Sequence, residues 1–298
     1  MQMKIIDVLC AGLTIAVVGC SGGNNKPATP PVAVATNPPS DTGTAPTPAP
    51  EMAMVRVVHL MPDATGIDVC IAAHGSGTFV GPVLKPAGIG ETGLAYAQAT
   101  KYLPLPAAQY DVRVVDGAAT SCARGLMNDA TELPALRGSE RLTIAALGFL
   151  HPPASNKNTA ALALYVDNAS MTHGPVALRF IHASPDTATV DAGVGSGNQF
   201  TAMFVRVAYG DVGASGAANS NGYVTMQLTP YAPLLTVRLQ GAADDALTFT
   251  PPTVPTWGDT VTSFLIGNFG GTPEPLRALV CFDSAAAMGA LADCSIRP

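Results

Sequence analysis

Charged side chains are scarce in this sequence: 12% of its 298 residues are Asp, Glu, Lys or Arg, against roughly 25% in an average soluble domain. With 48% apolar residues, a highly charged disordered chain is excluded. Basic clusters are missing too, as 15 Lys and Arg stand against 21 Asp and Glu and leave a net charge of −6. The electrostatic footprint of a nucleic-acid binder is therefore absent. No C-x-x-C spacing occurs among the 6 cysteines, which removes the usual pattern of a zinc site. What the chain does have is 30 Gly and 26 Pro, too many interruptions for long helices and suited to short strands joined by turns.

Residues 1–4 are a short basic start, and residues 5–18 form an apolar run interrupted by Asp7 and Thr14. The run has the length of a secretory h-region and is too short for the roughly 20 residues of a membrane span. It closes on Val17, Val18, Gly19 and Cys20, a pattern that resembles the lipobox of bacterial lipoproteins. The resemblance implies a signal peptide at 1–19, acylation of Cys20 and a membrane anchor. The alternative is an ordinary signal peptide cut near Gly19, with Cys20 incidental. Ser21 in place of Asp implies, by the same resemblance, export to the outer membrane of a Gram-negative bacterium, facing the periplasm or the cell surface. Residues 20–51 then read as a lipidated Cys and a disordered Pro-rich tether, since this stretch has too little apolar surface to offset its ordering entropy.

The remainder repeats itself. VRVVHLMPDATGIDV at 55–69 returns as LRFIHASPDTATVDA at 178–192, YDVRVVDGAA at 110–119 as LTVRLQGAA at 235–243, LTIAALGF at 142–149 as TSFLIGNF at 262–269, and ALYVDNA at 163–169 as LVCFDSA at 279–285. Four blocks in one order imply a duplicated unit of domain size, not a solenoid. The opening block, a hydrophobic strand running into H-x-x-P-D and then a strand carrying Asp, resembles the DUF4397 family of bacterial and archaeal extracytoplasmic domains. That resemblance implies two such domains, at 52–168 and 174–298, and makes His59, Pro62, Asp63 and Asp68, with His182, Pro185, Asp186 and Asp191, the family motif. The family has no assigned biochemical activity.

The residues lead to the same fold class without the family. Val55, Val57 and His59 fall on one strand face with Arg56 and Val58 on the other, and Val112 and Val114 alternate in the same way with Arg113 and Val115. Further strands are expected at 66–72, 142–148, 160–166, 190–194, 261–267 and 277–282, and a short helix at 284–292. About seven short strands per unit predict an all-β chain of two tandem immunoglobulin-like antiparallel β-sandwiches, with a boundary near 168–174. Export favours disulfides, and the simplest of three connectivities pairs Cys70 with Cys122 and Cys281 with Cys294.

Several constellations invite chemistry. The duplicated His and Asp residues could serve acid–base or metal work, but their place beside large apolar residues predicts a structural role, with each imidazole bonded to the following turn and each carboxylate accepting backbone N–H groups. Gly88, Gly90 and Gly93 spell G-x-G-x-x-G without the strand-to-helix context of a dinucleotide site. Ser196 lacks the nucleophile-elbow spacing. Asp244 and Asp245 lack a calcium-loop pattern, and His74, His151 and His173 stand isolated. Trp257, in a Pro-rich stretch, is the candidate for an exposed binding surface. No catalytic residue, cofactor or metal is assigned. The expected function is a non-enzymatic, envelope-anchored module that binds polysaccharide or protein, in an unknown oligomeric state. The alternatives are a structural spacer without a discrete ligand and a hydrolase or metal-dependent enzyme with its site between the two units.

Overall fold

Alternating apolar residues become strands along most of the described chain. The computed structural model describes residues 49–298, except 169–174, 214, 215, 217, 227–232, 252–254, 257 and 284–290. The first half contains Met52–Leu60 (β1), Gly66–Ala73 (β2), Leu94–Ala95 (β3), Leu103–Pro106 (β4), Tyr110–Asp116 (β5), Arg141–Leu147 (β6) and Ala161–Asp167 (β7). The second contains Val176–His182 (β8), Val190–Val194 (β9), Thr201–Val207 (β10), Val224–Met226 (β11), Leu235–Leu239 (β12), Leu247–Phe249 (β13), Thr260–Ile266 (β14), Arg277–Phe282 (β15) and Cys294–Arg297 (β16). Among the described residues, helical structure is confined to one 3-10 turn, Gly197–Gln199. The expected helix at 284–292 lies mostly outside the described residues. Its last residues, Leu291 and Ala292, are not helical and lie against the first half, the Ala292 N–H donating to the Ala99 carbonyl at 2.9 Å. The expected boundary near 168–174 also falls outside the described residues, apart from Asn168.

Each half is a sandwich of two sheets. In the first, an inner sheet β4-β1-β6-β7 covers an outer sheet β3-β2-β5; in the second, an inner sheet β11-β8-β14-β15-β16 covers an outer sheet β10-β9-β12-β13. The all-β sandwich architecture is thus as expected, with one addition. At the centre of each inner sheet the opening strand pairs in parallel, β1 with β6 and β8 with β14, because alternation fixes which side chains share a face and leaves strand direction open. These ladders also correct the third repeat block by one residue. Thr143 lies opposite Arg56, and Thr262 lies opposite Arg179, so position 142 corresponds to 261 rather than 262. Both disulfides adopt the expected pairing: Cys70–Cys122 ties β2 to a loop, and Cys281–Cys294 ties β15 to β16.

Both faces of the inner sheets are buried. Val58, Leu60, Ala145, Leu147 and Tyr165 of the first half share one apolar cluster with Ile181, Ala183, Phe264, Ile266 and Leu279 of the second, so Pro48–Pro298 forms a single compact unit. Inside this layer lies a set of charges exchanged between the halves. Arg56 of β1 pairs with Asp283 of the second half, and Arg179 of β8 pairs with Asp167 of β7, all four side chains being at most 1% exposed. Each arginine also donates from Nε to the threonine opposite it, Arg56 to Thr143 at 2.7 Å and Arg179 to Thr262 at 3.2 Å. Each aspartate accepts from a threonine and a tyrosine of its own half: Asp167 from Thr143 at 2.6 Å and Tyr102 at 2.7 Å, Asp283 from Thr262 at 2.6 Å and Tyr223 at 2.8 Å. Burial alone would raise the Asp167 carboxyl, but Arg56 and Arg179 overcome it and hold the group below its ordinary range. Burial would likewise lower the Arg56 guanidinium, and Asp283 and Asp167 raise it instead. The network is net neutral and strongly hydrogen-bonded, the condition under which buried ion pairs are tolerated.

Candidate functional site

Between the two sheets of the first half the inward-facing side chains leave room. Val55 and Val57 of β1, Leu103 and Leu105 of β4, Ile144 of β6 and Leu164 of β7 form one wall; Val69 and Ile71 of β2, Val112 of β5 and Leu84 form the other. Together they enclose an apolar cavity of about 360 Å³. The second sandwich is built on the same arrangement, and the voids between its described residues at corresponding depth are about 10 and 20 Å³, roughly the room of a single water. The cause lies in side-chain volume. Where Val57 faces Ile144 across the parallel ladder, the second half sets Phe180 against Ser263. Phe180 stacks on Phe204 of β10 at 6.0 Å between ring centroids, and Phe249 and Phe282 pack into the same cluster.

A dry, enclosed void of that size would cost about 9 kcal/mol at roughly 24 cal/mol per Å³, comparable to the whole net stability of a domain. The cavity is relieved of part of this by reaching the surface. Pro104 and Pro134 in its wall are exposed, and Leu103, Leu105, Tyr110 and Leu133 are half-buried, which places the mouth at the β4 edge. Prolines on β4 also suit an edge strand, whose outer side needs no further pairing. Among the lining residues Tyr110 alone carries a polar side chain, and its hydroxyl donates to the Pro106 carbonyl at 3.0 Å. Burial pushes the Tyr110 phenol above its ordinary value, so it stays neutral near pH 7. The site can accept apolar matter and offers no buried group that would activate a nucleophile or carry charge.

The residues singled out in sequence lie elsewhere. His59 and His182 are fully buried at the ends of β1 and β8. The Nδ1 of His59 accepts from the Met61 N–H and that of His182 from the Ser184 N–H, each at 3.3 Å, while Nε2 of His182 donates to the Ala188 carbonyl at 3.0 Å. Burial lowers both imidazoles, His59 to about 4. Asp63 accepts from the Leu150 and His151 N–H groups, and Asp186 from those of Phe269 and Gly270. Asp68 accepts from the Val69, Leu84 and Lys85 N–H groups, and Asp191 from that of Arg206. Pro62 and Pro185 sit in the turns that follow β1 and β8. Each motif carboxylate therefore clamps a backbone segment, and Asp68 fixes the Leu84 segment that forms one side of the cavity.

Of the G-x-G-x-x-G glycines, Gly93 has φ +76°, and a Cβ there would lie 2.4 Å from the Ile67 carbonyl oxygen, so close packing against β2 requires glycine. Asp245 pairs with Arg238 and accepts from the Gly197 N–H. His74 pairs with Asp111, and Trp257 and His173 lie outside the described residues. Among the described residues no three His, Cys, Asp or Glu side chains converge on a possible metal position.

Sequence reasoning passed over both the cavity and the shared ion pairs. The signal for the second was present: Arg56 with Arg179, and Asp167 with Asp283, are charges retained in both copies of otherwise apolar blocks. For the cavity, the signal was Val57 standing where the second copy has Phe180. No curated protein matches the chain. A family model does match residues 53–193, the first sandwich together with β8 and β9, so this part of the chain is a DUF4397 domain, a domain of unknown function.

Proposed function

We propose that the protein is a non-enzymatic binding module of the bacterial envelope, anchored through acylated Cys20 after removal of residues 1–19, which holds an apolar ligand in the cavity of its first sandwich. The observation that carries this reading is the contrast between about 360 Å³ in the first core and about 10 to 20 Å³ among the described residues of the second. In the same reading the second sandwich is a diverged DUF4397-like copy. Its strand order, its H-x-x-P-D turn and its exchanged Arg–Asp pairs repeat those of the first half. The ligand class differs from the polysaccharide or protein expected from sequence, because that expectation looked to surface loops, with Trp257 as a candidate contact, whereas the cavity lies between the sheets and its lining is apolar apart from the Tyr110 hydroxyl. The ionised groups buried between the halves are consumed by one another, which favours binding over catalysis at that interface.

Two measurements test this. Incorporation of labelled palmitate should occur in the wild-type protein and vanish in Cys20→Ser; incorporation that survives the substitution would refute the anchor. The neutral fluorescent probe N-phenylnaphthylamine should bind the full chain at one site, and Leu105→Trp at the mouth should weaken it by at least tenfold. Binding that ignores Leu105→Trp would place the site elsewhere.

A further inference from the structure

The shape of the cavity says more than its polarity. Its inner-sheet wall crosses all four strands β4, β1, β6 and β7 through Leu103, Val57, Ile144 and Leu164. At about 4.8 Å between neighbouring strands, that is an extent of roughly 14 Å. Along each strand the wall uses at most two inward positions, such as Val55 and Val57, about 7 Å at roughly 3.3 Å per residue. Its depth is what the side chains leave of the gap between two sheets that stand only about 10 Å apart. The result is a slot, long in one direction and narrow in the other two, with its mouth at β4 and its far end toward β7.

A slot that is apolar throughout cannot satisfy a polar group taken into it. Any charge on the ligand must therefore stay at the mouth, beside exposed Pro104 and Pro134. We infer that the ligand is a single-chain amphiphile, held by a linear acyl tail inserted from the β4 edge, with its polar head in solvent. This inference rests on the proposed apolar-binding function and specifies the ligand for it. An apolar cavity of about 150 Å³ takes up one benzene, roughly 25 Å³ per carbon, so a volume of about 360 Å³ accommodates a tail of about 12 to 14 carbons. Among its described residues the second sandwich offers only about 10 to 20 Å³ at the matching depth, so one tail per chain is expected, held in the first.

The test uses the full chain carrying Cys20→Ser, titrated without detergent with saturated fatty acids from hexanoate to stearate. Affinity should rise about fourfold per added methylene and level off near dodecanoate, at one ligand per chain. Val57→Phe, which shortens the slot from inside, should shift the plateau to shorter acids, and Leu105→Trp, at the mouth, should weaken all of them. Thermal unfolding of each variant confirms that it folds, and either variant alone suffices for the comparison. Affinity independent of chain length, a plateau unmoved by Val57→Phe in the folded variant, or two ligands per chain would overturn the inference. If N-phenylnaphthylamine binds in a Leu105-sensitive manner while fatty acids do not, the apolar site stands and the acyl assignment fails. If neither binds, both fail.

Discussion

The two sandwiches share a strand order, a parallel central ladder and a set of buried charges, yet one core is packed with Phe180, Phe204, Phe249 and Phe282 and the other is lined by valine, leucine and isoleucine around a slot. The backbone scaffold is therefore separable from the filling of its core. What the halves keep in common is the material at and between them: the histidine turns, the carboxylates that clamp backbone N–H groups, and the Arg–Asp exchange. What differs faces inward, where a change in side-chain volume alters ligand capacity without altering the fold. Predictions that treat the halves unequally probe this division most directly.

The largest effect should come from what is shared. Asp167→Ala leaves Arg179 and Arg56 facing a buried position without its anion, and breaking such a pair typically costs about 3–5 kcal/mol. Because the network joins both inner sheets, the halves should still unfold in one transition, moved to lower denaturant. Far-ultraviolet circular dichroism and Trp257 fluorescence would follow it, and two separated transitions in the wild-type protein would show that the exchanged charges do not couple the halves. Next in size is the filled core. Phe180→Val imitates Val57 and should cost about 2–4 kcal/mol through lost contacts and a new void. A second site for N-phenylnaphthylamine should appear in that variant; a stable variant with unchanged stoichiometry would mean that volume alone does not make the site.

How much of this was legible in the sequence depended on which property was asked for. Strands such as β2, β5, β6 and β9 were placed to within a residue or two, because alternation and flanking turns report directly on a pleated, half-buried chain. The parallel pairing of β1 with β6 left no local trace, since partner direction is set by tertiary packing. Alternation sets Arg56 on the face opposite Val55 and Val57 but leaves open what covers that face, and here the other half covers it. The carboxylates of Asp63 and Asp186 accept backbone N–H groups as expected, but which groups was not legible, since the donors lie in the loops at Leu150 and Phe269, more than eighty positions away in sequence. A cavity is harder still, being a small difference between backbone spacing and summed side-chain volume.

Acid should separate the shared histidines from the carboxylates around them. The folded-state imidazole of His59 lies near 4, below its ordinary 6.5, so between those values the unfolded chain binds a proton that the folded one does not. Stability contributed by the neutral ring is complete above about 6.5 and is lost as pH falls toward 4, by at most about 3 kcal/mol. His182 is shifted in the same direction by burial. His59→Asn keeps an acceptor for the Met61 N–H but does not titrate. The denaturation midpoint measured from pH 7 to 4 should therefore fall less steeply in this variant than in the wild-type protein, and parallel slopes would contradict the assignment.

The smallest expected change is the most informative, because its sign decides what the slot is. Val57→Phe copies the second half into the first at the matching ladder position. In a tightly packed sandwich, adding that much volume overpacks the core and costs about 1–3 kcal/mol. Into a slot of about 360 Å³ the ring fits in open space and gains apolar contacts, so the variant should be more stable than the wild-type protein by about 1 kcal/mol. Chemical denaturation resolves a difference of that size when m-values are unchanged. A stabilised variant that also takes up less N-phenylnaphthylamine means that the first core has given up stability for capacity, whereas destabilisation means that the wall closes in solution and the two halves are packed alike.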